Sequence, residues 1–276
     1  SLAGRVALLV LLPFSLAELE RVNKLPTDVD SMLHSGCYPP IHDRDVPARA
    51  WLTAYVTAYI ERDVRQITQV QDLETFQRFV RLCAGRTGQL LNLSSLATEC
   101  GITHNTAKAW ISILEASYLV FLLRPHHTNF NKRLVKTPKL YFYDTGLVSW
   151  LLGIQTPEQL ATHPLRGHIF ETLIVSELVK TFFNRTEKSP ISFWRDSTGN
   201  EVDIIIEQGG KLLPVEIKSG RTLTRDSFTG LDKWNSLAGD SAQQPTLIYG
   251  GDDNYHHKGV QVYSWRNVCR CTASGR

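Results

Sequence analysis

At 276 residues, 42% hydrophobic and 21% charged, the chain has the composition of a folded protein built from roughly two to three compact units, which excludes a disordered one. The formal net charge of +3 is too small to imply a nucleic-acid partner, so such a partner has to be argued from local clusters. Cys37, Cys83, Cys100, Cys269 and Cys271 are scattered and lack a CxxC pair at zinc spacing, which favours a reducing, cytoplasmic setting over a disulfide framework. The Cys269 and Cys271 pair reads as part of a frayed basic tail and not as a metal site.

The apolar run Val6 to Leu12 stops at Pro13, short of the roughly 18 to 20 residues that span a bilayer, and no membrane association is expected. It reads as a buried parallel strand of a larger sheet, and with Ser1 at the start it points to a preceding portion of the protein. Leu16 to Val22 reads as a helix, and Gly36-Cys37-Tyr38-Pro39-Pro40 as a loop. Trp51, Tyr55, Val56, Tyr59, Ile60 and Val64 recur at helical spacing and predict one helix from Ala48 to about Gln66, with Glu61, Arg62 and Asp63 on its polar face.

A second helix, Leu73 to Cys83, buries Phe76, Phe79, Val80 and Cys83. Ser94 or Ser95 then caps a short helix to Cys100, Gly101-Ile102-Thr103 turns, and Thr103 caps a helix from His104 to about Ser117, which together make a helix-turn-helix. Tyr118–Leu123 and Lys139–Tyr143 are β-rich and supply a wing, whose tip holds His126, His127, Asn131, Lys132, Arg133 and Lys136. With Lys108 on the presumed recognition helix, Lys132, Arg133 and Lys136 suit phosphate contacts better than base readout, because that helix offers no arginine for guanine. The competing use of such a winged helix is protein packing. His126-His127 and His256-His257 read as loop histidines.

A boundary at Gly153 to Pro164 leads to a helix, Gly167–Asn184, and strands at Ile191–Arg195, Glu201–Glu207 and Lys211–Lys218. A helix near Phe228–Leu237 and a strand at Thr246–Tyr249 complete the order αβββαβ. In Val215-Glu216-Ile217-Lys218, alternation sends Glu216 and Lys218 to one face and Val215 and Ile217 to the core. Pairing through the Gly209-Gly210 hairpin brings Asp203 near Glu216, and hard oxygen ligands of this kind suit Mg²⁺ or Mn²⁺. Asp203, Glu216 and Lys218 are therefore the candidate catalytic residues. Asp203 and Glu216 hold the metal, Glu171 completes or orients the site, and Lys218 holds the attacking water. The plain alternative is a same-face ion pair between Glu216 and Lys218.

Several separated stretches carry a family resemblance: Lys139 to Leu147 (KLYFYDTGL), Gly167 to Glu171, Phe193 to Asp196, Glu201 to Asp203 and Glu216 to Gly220. They resemble a bacterial and archaeal family of AAA-superfamily ATPases carrying a C-terminal domain of unknown function, a domain placed in the PD-(D/E)xK nuclease superfamily. Residues 1–6 and 12–18 are similar to the end of that family's ATPase core, and Tyr59 to Asp63 to its helical linker. The resemblance implies an α/β (mixed α+β multi-domain) fold. A residual ATPase-domain segment with its helical linker would occupy 1–66, a winged helix-turn-helix 67–153 and a restriction-endonuclease-like αβββαβ domain 154–276.

The chain departs from the family in lacking a G-x-x-x-x-G-K-[ST] loop, so ATP is expected only in a full-length form and ATPase activity is not expected of this chain alone. Val202-Asp203 stands where the nuclease motif has Pro-Asp, and Arg5 reads as an exposed arginine. The expected function is the C-terminal part of an ATPase-linked, DNA-associated protein with a Mg²⁺-dependent nuclease-like domain, its partners being DNA and the N-terminal ATPase portion or other subunits. The alternative is a non-catalytic module that binds nucleic acid or protein on the same scaffold.

Overall fold

The computed structural model of the protein describes residues 9–59, 72–126 and 134–272. It is a mixed α+β structure with a three-stranded sheet, a mixed six-stranded sheet and helices packed on both. The expected strand Val6 to Leu12 falls mostly outside the described residues. Its described part, 9–12, forms no strand, and Leu9 and Leu11 are exposed.

Ser15 and Glu18 close a capping box over the helix Leu16–Arg21. Two helices, Val29–Ser35 and Pro39–Asp43, occupy a region where the sequence suggested loop; the prolines sit in the first turn of the second, where a missing N–H costs nothing. The helix from Ala48 is described to Ala58, and its expected continuation, with Glu61, Arg62 and Asp63, lies outside the described residues.

In the middle of the chain, Leu73–Ala84, Leu93–Cys100 and His104–Ala116 form three helices, with Phe76 and Phe79 edge-on to Trp110 at 5.1 and 5.3 Å. The short helix is capped by Asn92, whose side chain accepts from the Ser95 amide, and not by Ser94 or Ser95. Gly101 takes the left-handed conformation that the turn needs, and Thr103 caps the next helix by accepting from Thr106. Strands β2 (Val120–Leu123) and β3 (Lys139–Phe142) pair antiparallel, and β1 (Gln89–Leu90) joins the other edge of β3.

The six-stranded sheet runs β4 (Ile191–Arg195), β5 (Glu201–Gln208), β6 (Lys211–Lys218), β7 (Thr246–Tyr249), β9 (Val260–Ser264) and β8 (Tyr255–His257). β7 lies parallel to both β6 and β9; the remaining pairs are antiparallel. The expected αβββαβ order is present and is extended by β8 and β9. His256 and His257 belong to the exposed strand β8, not to a loop. The stretch Trp265–Thr272 that follows is helical, and Trp265, Val268 and Cys271 pack into the core, which corrects the expectation that Cys269 and Cys271 lie in a frayed tail.

Ile204, Ile206, Val215 and Ile217 join the main core with Phe170 and Leu173 of the helix Arg166–Asn184. Val202, Ile205 and Leu212 pack instead with Trp194 and with Trp234 of the helix Thr229–Ala238. The edge of β4 is not left open: the His126 amide donates to the Phe193 carbonyl at 2.7 Å and the Val135 amide to Arg195 at 3.1 Å. The N-terminal helices are tied to the rest by buried charges. Asp144 accepts the Cys37 and Leu147 amides at 2.6 and 2.8 Å. Glu177 accepts the Leu16 amide at 2.7 Å, and Lys180 donates to the Phe14 carbonyl and to Glu177, both at 2.9 Å. One hydrophobic cluster accordingly contains residues from Leu16 through Cys271.

Candidate active site

The β5–β6 hairpin builds the carboxylate site. Its register pairs Ile204 with Val215, and one residue further the ladder gives way to a side-chain bond, with Asp203 Oδ2 accepting the Ile217 amide at 2.8 Å. Antiparallel pairing places Asp203 and Glu216 on one face, and alternation adds Glu201 and Lys218 to it. Lys218 Nζ donates to Glu216 Oε1 at 2.6 Å; the lysine side chain is 36% accessible and the glutamate 9%. The other oxygen, Glu216 Oε2, is buried with no hydrogen-bond partner among the described residues. A Cβ added at Gly230 would lie 3.1 Å from it, so a glycine there leaves room beside the carboxylate.

Glu171 approaches from the first turns of the helix Arg166–Asn184. Its Oε1 accepts from Lys139 Nζ at 2.9 Å and from the Tyr141 hydroxyl at 2.5 Å. Lys139 also pairs with Glu201, which Arg195 holds from its other side at 3.0 Å. His168 Nδ1 lies 3.9 Å from Glu171 Oε2.

Burial, then the charge of Glu171, raises the Asp203 pKa against the opposing pull of Lys139 and Lys218. Burial, then Asp203, raises that of Glu216. Burial works against the charge of Lys218, but Glu216 and Asp203 outweigh it and hold the proton. Lys139 likewise keeps its proton above the ordinary lysine range despite burial, through Glu171, Asp203 and Glu201. Burial and the neighbouring Lys139 lower His168. Two facing carboxyl groups therefore share an excess of proton affinity that a cation would relieve.

Among the described residues, no three histidine, cysteine, aspartate or glutamate groups are arranged to cage a metal ion. Magnesium does not need such a cage, since one or two carboxylates with water and substrate phosphate suffice. Asp203 and the unsatisfied Glu216 Oε2 fit that donor set, while Glu171 is engaged by Lys139 and Tyr141. A metal held there would polarise a phosphodiester and acidify bound water; the Lys218 ammonium, beside Glu216, would donate to that water and orient it.

Asp203, Glu216, Lys218 and Glu171, the residues expected from the sequence, all lie in one charge cluster. Lys139, Tyr141 and Glu201 join them without having been expected there. The signals were a lysine inside the apolar strand Leu140-Tyr141-Phe142 and a glutamate two positions before Asp203, on the same face. Of the expected nucleic-acid contacts, Lys108 is exposed on the helix His104–Ala116 and Lys136 is exposed after the β2–β3 excursion. Lys132 and Arg133, with His127 and Asn131, lie outside the described residues, as does Arg5.

Residues 26–158 match a family described as a domain of unknown function, DUF8612, and residues 166–268 match a second, DUF4143. The second match accords with the C-terminal domain of unknown function expected of the ATPase family. Among curated proteins, uncharacterized proteins from Mycobacterium bovis and Mycobacterium tuberculosis are each 29% identical over 224 residues, covering 80% of this chain. The aligned part is 49% of each relative, so the chain spans about half the length of the curated relatives it matches. Among the described residues, no helix is long and apolar enough to cross a membrane.

Proposed function

We propose that this chain is the C-terminal part of an ATPase-linked, DNA-associated protein whose six-stranded domain is a PD-(D/E)xK-type, Mg²⁺- or Mn²⁺-dependent nuclease. The observation that carries the reading is the Asp203–Glu216 pair: two facing carboxyl groups with raised proton affinity and one buried oxygen, Glu216 Oε2, without a partner among the described residues. Lys218 beside Glu216 supplies the lysine of the E-x-K pattern, and Lys108 and Lys136 are exposed cations suited to phosphate. Free Cys37, Cys83, Cys100, Cys269 and Cys271 support a reducing, cytoplasmic setting. The N-terminal ATPase portion would be the other partner, and ATP would be bound there.

A second reading has its own support. Because Lys139 and Arg195 together balance Glu171 and Glu201, the scaffold is internally neutral on that side, as a non-catalytic module binding nucleic acid or protein would be. A cleavage assay on single- and double-stranded DNA with Mg²⁺ and Mn²⁺ separates the two. Nuclease action predicts metal-dependent cleavage that falls about a hundredfold or more in Lys218→Ala and is lost in Asp203→Ala. Metal binding without cleavage favours the non-catalytic module, and cleavage unchanged in both variants refutes the site.

A further inference from the structure

Lys139 is 3% exposed, and lysine is almost never buried unless paired. It comes from β3 of the small sheet and reaches Glu171 of the helix Arg166–Asn184, at 2.9 Å, and Glu201 of the large sheet, its ammonium 5.5 Å from the Phe193 ring centroid. Tyr141, two residues on, donates to the same Glu171 oxygen at 2.5 Å. The other cation of the site differs in kind: Lys218 pairs with Glu216 but keeps a side chain 36% accessible. One lysine is thus buried among its carboxylates, and the other opens to solvent.

We infer that Lys139 is a built-in counter-ion that commits Glu171 and Glu201 to the protein, leaving Asp203 and Glu216 as the carboxylates open to a divalent cation. The inference rests on reading those two residues as metal ligands. Withdrawing Lys139 from Glu171 and Glu201 would strand charges where water is scarce, whereas moving the Lys218 head aside exposes it to solvent that can take it up. An arriving cation therefore displaces Lys218, and Lys139 limits the negative charge the cation sees. The small sheet, by supplying Lys139, is a working part of the site beside the other sheet.

The test is Mn²⁺ titration calorimetry on the whole chain, with circular dichroism to verify folding. Lys139→Met removes the cation that Glu171 and Glu201 share, leaving Arg195 on Glu201 and no cation on Glu171, and should tighten Mn²⁺ binding by at least about tenfold. Tyr141→Phe changes no charge and should stay within about threefold of wild type. The double variant Lys139→Met/Glu171→Gln removes the buried pair together, a change that spares the fold, and should bind within about tenfold of wild type. Unchanged or weaker binding by a folded Lys139→Met chain overturns the inference. Should that variant not fold, loss of binding in the double variant overturns it by showing Glu171 to be a ligand. If wild type binds no Mn²⁺ the metal reading itself fails; binding gained by Lys139→Met would still support the counter-ion, and continued silence would refute it.

Discussion

Asp203 Oδ2 accepts the Ile217 amide at 2.8 Å, which fastens the β5 carboxylate to the stretch of β6 between Glu216 and Lys218. That bond spends one carboxylate oxygen on the backbone and fixes where the other can point. With Lys218 on Glu216 Oε1, the hairpin presents both carboxyl groups on one face, with Glu216 Oε2 unpartnered among the described residues.

The first expectation is a pH dependence. Asp203 and Glu216 are raised from 3.8 and 4.5 to about 7 and about 8, so the folded state holds more protons than the unfolded state between those limits. Stability then falls as pH rises through that window and is lowest above the folded values. The metal-free melting temperature of wild type should drop by several degrees more than that of Asp203→Asn/Glu216→Gln between about pH 5 and about pH 8.5. Equal slopes for the two proteins would show that the pair is not strained.

The buried clamp on the N-terminal helices should be costly to break on one side. Glu177→Ala leaves the Lys180 ammonium buried without its paired carboxylate, and about 3 to 5 kcal/mol of stability should be lost in urea unfolding. Replacing both residues, Glu177→Leu with Lys180→Met, should recover part of it. A single variant as stable as wild type would show that residues 14–16 are not held by this pair.

Gly146 opens the helix Thr145–Leu151, and a Cβ there would collide with the Ser35 carbonyl and its carbon. Gly146→Ala should cost about 1 to 3 kcal/mol by overpacking, although alanine is the better helix former. Stabilisation instead would mean that the two helices do not approach so closely.

Any DNA affinity should be phosphate-driven and carried by Lys108, Lys132, Arg133 and Lys136. Each neutralised phosphate adds about 0.9 to the slope of log affinity against log salt. Replacing Lys132, Arg133 and Lys136 by alanine should weaken binding to all duplexes alike and flatten the slope by up to about 3. A triple variant with the wild-type slope places DNA elsewhere.

Much of the architecture was legible in the sequence because local rules and tertiary packing agree. The spans Ile191–Arg195, Lys211–Lys218 and Thr246–Tyr249 are strands as expected, and Thr103 caps the helix from His104 as expected. Alternation alone put Glu216 and Lys218 together. The short helix Pro39–Asp43 was hidden because two prolines read as loop, though they are tolerated in a first helical turn. β8 was hidden because Tyr255, His256 and His257 are exposed and polar, an edge strand without an apolar rhythm. The partners of Lys139 could not be read at all: Glu171 and Glu201 lie 32 and 62 positions away, and no local spacing joins them.

The most direct test of the central claim is a Mn²⁺ soak of crystals of this chain followed by anomalous diffraction. If Asp203 and Glu216 hold the metal, one anomalous peak lies within coordination distance of both and is absent in Asp203→Ala. A metal-loaded crystal with no peak there, or with the peak unchanged in that variant, would contradict it.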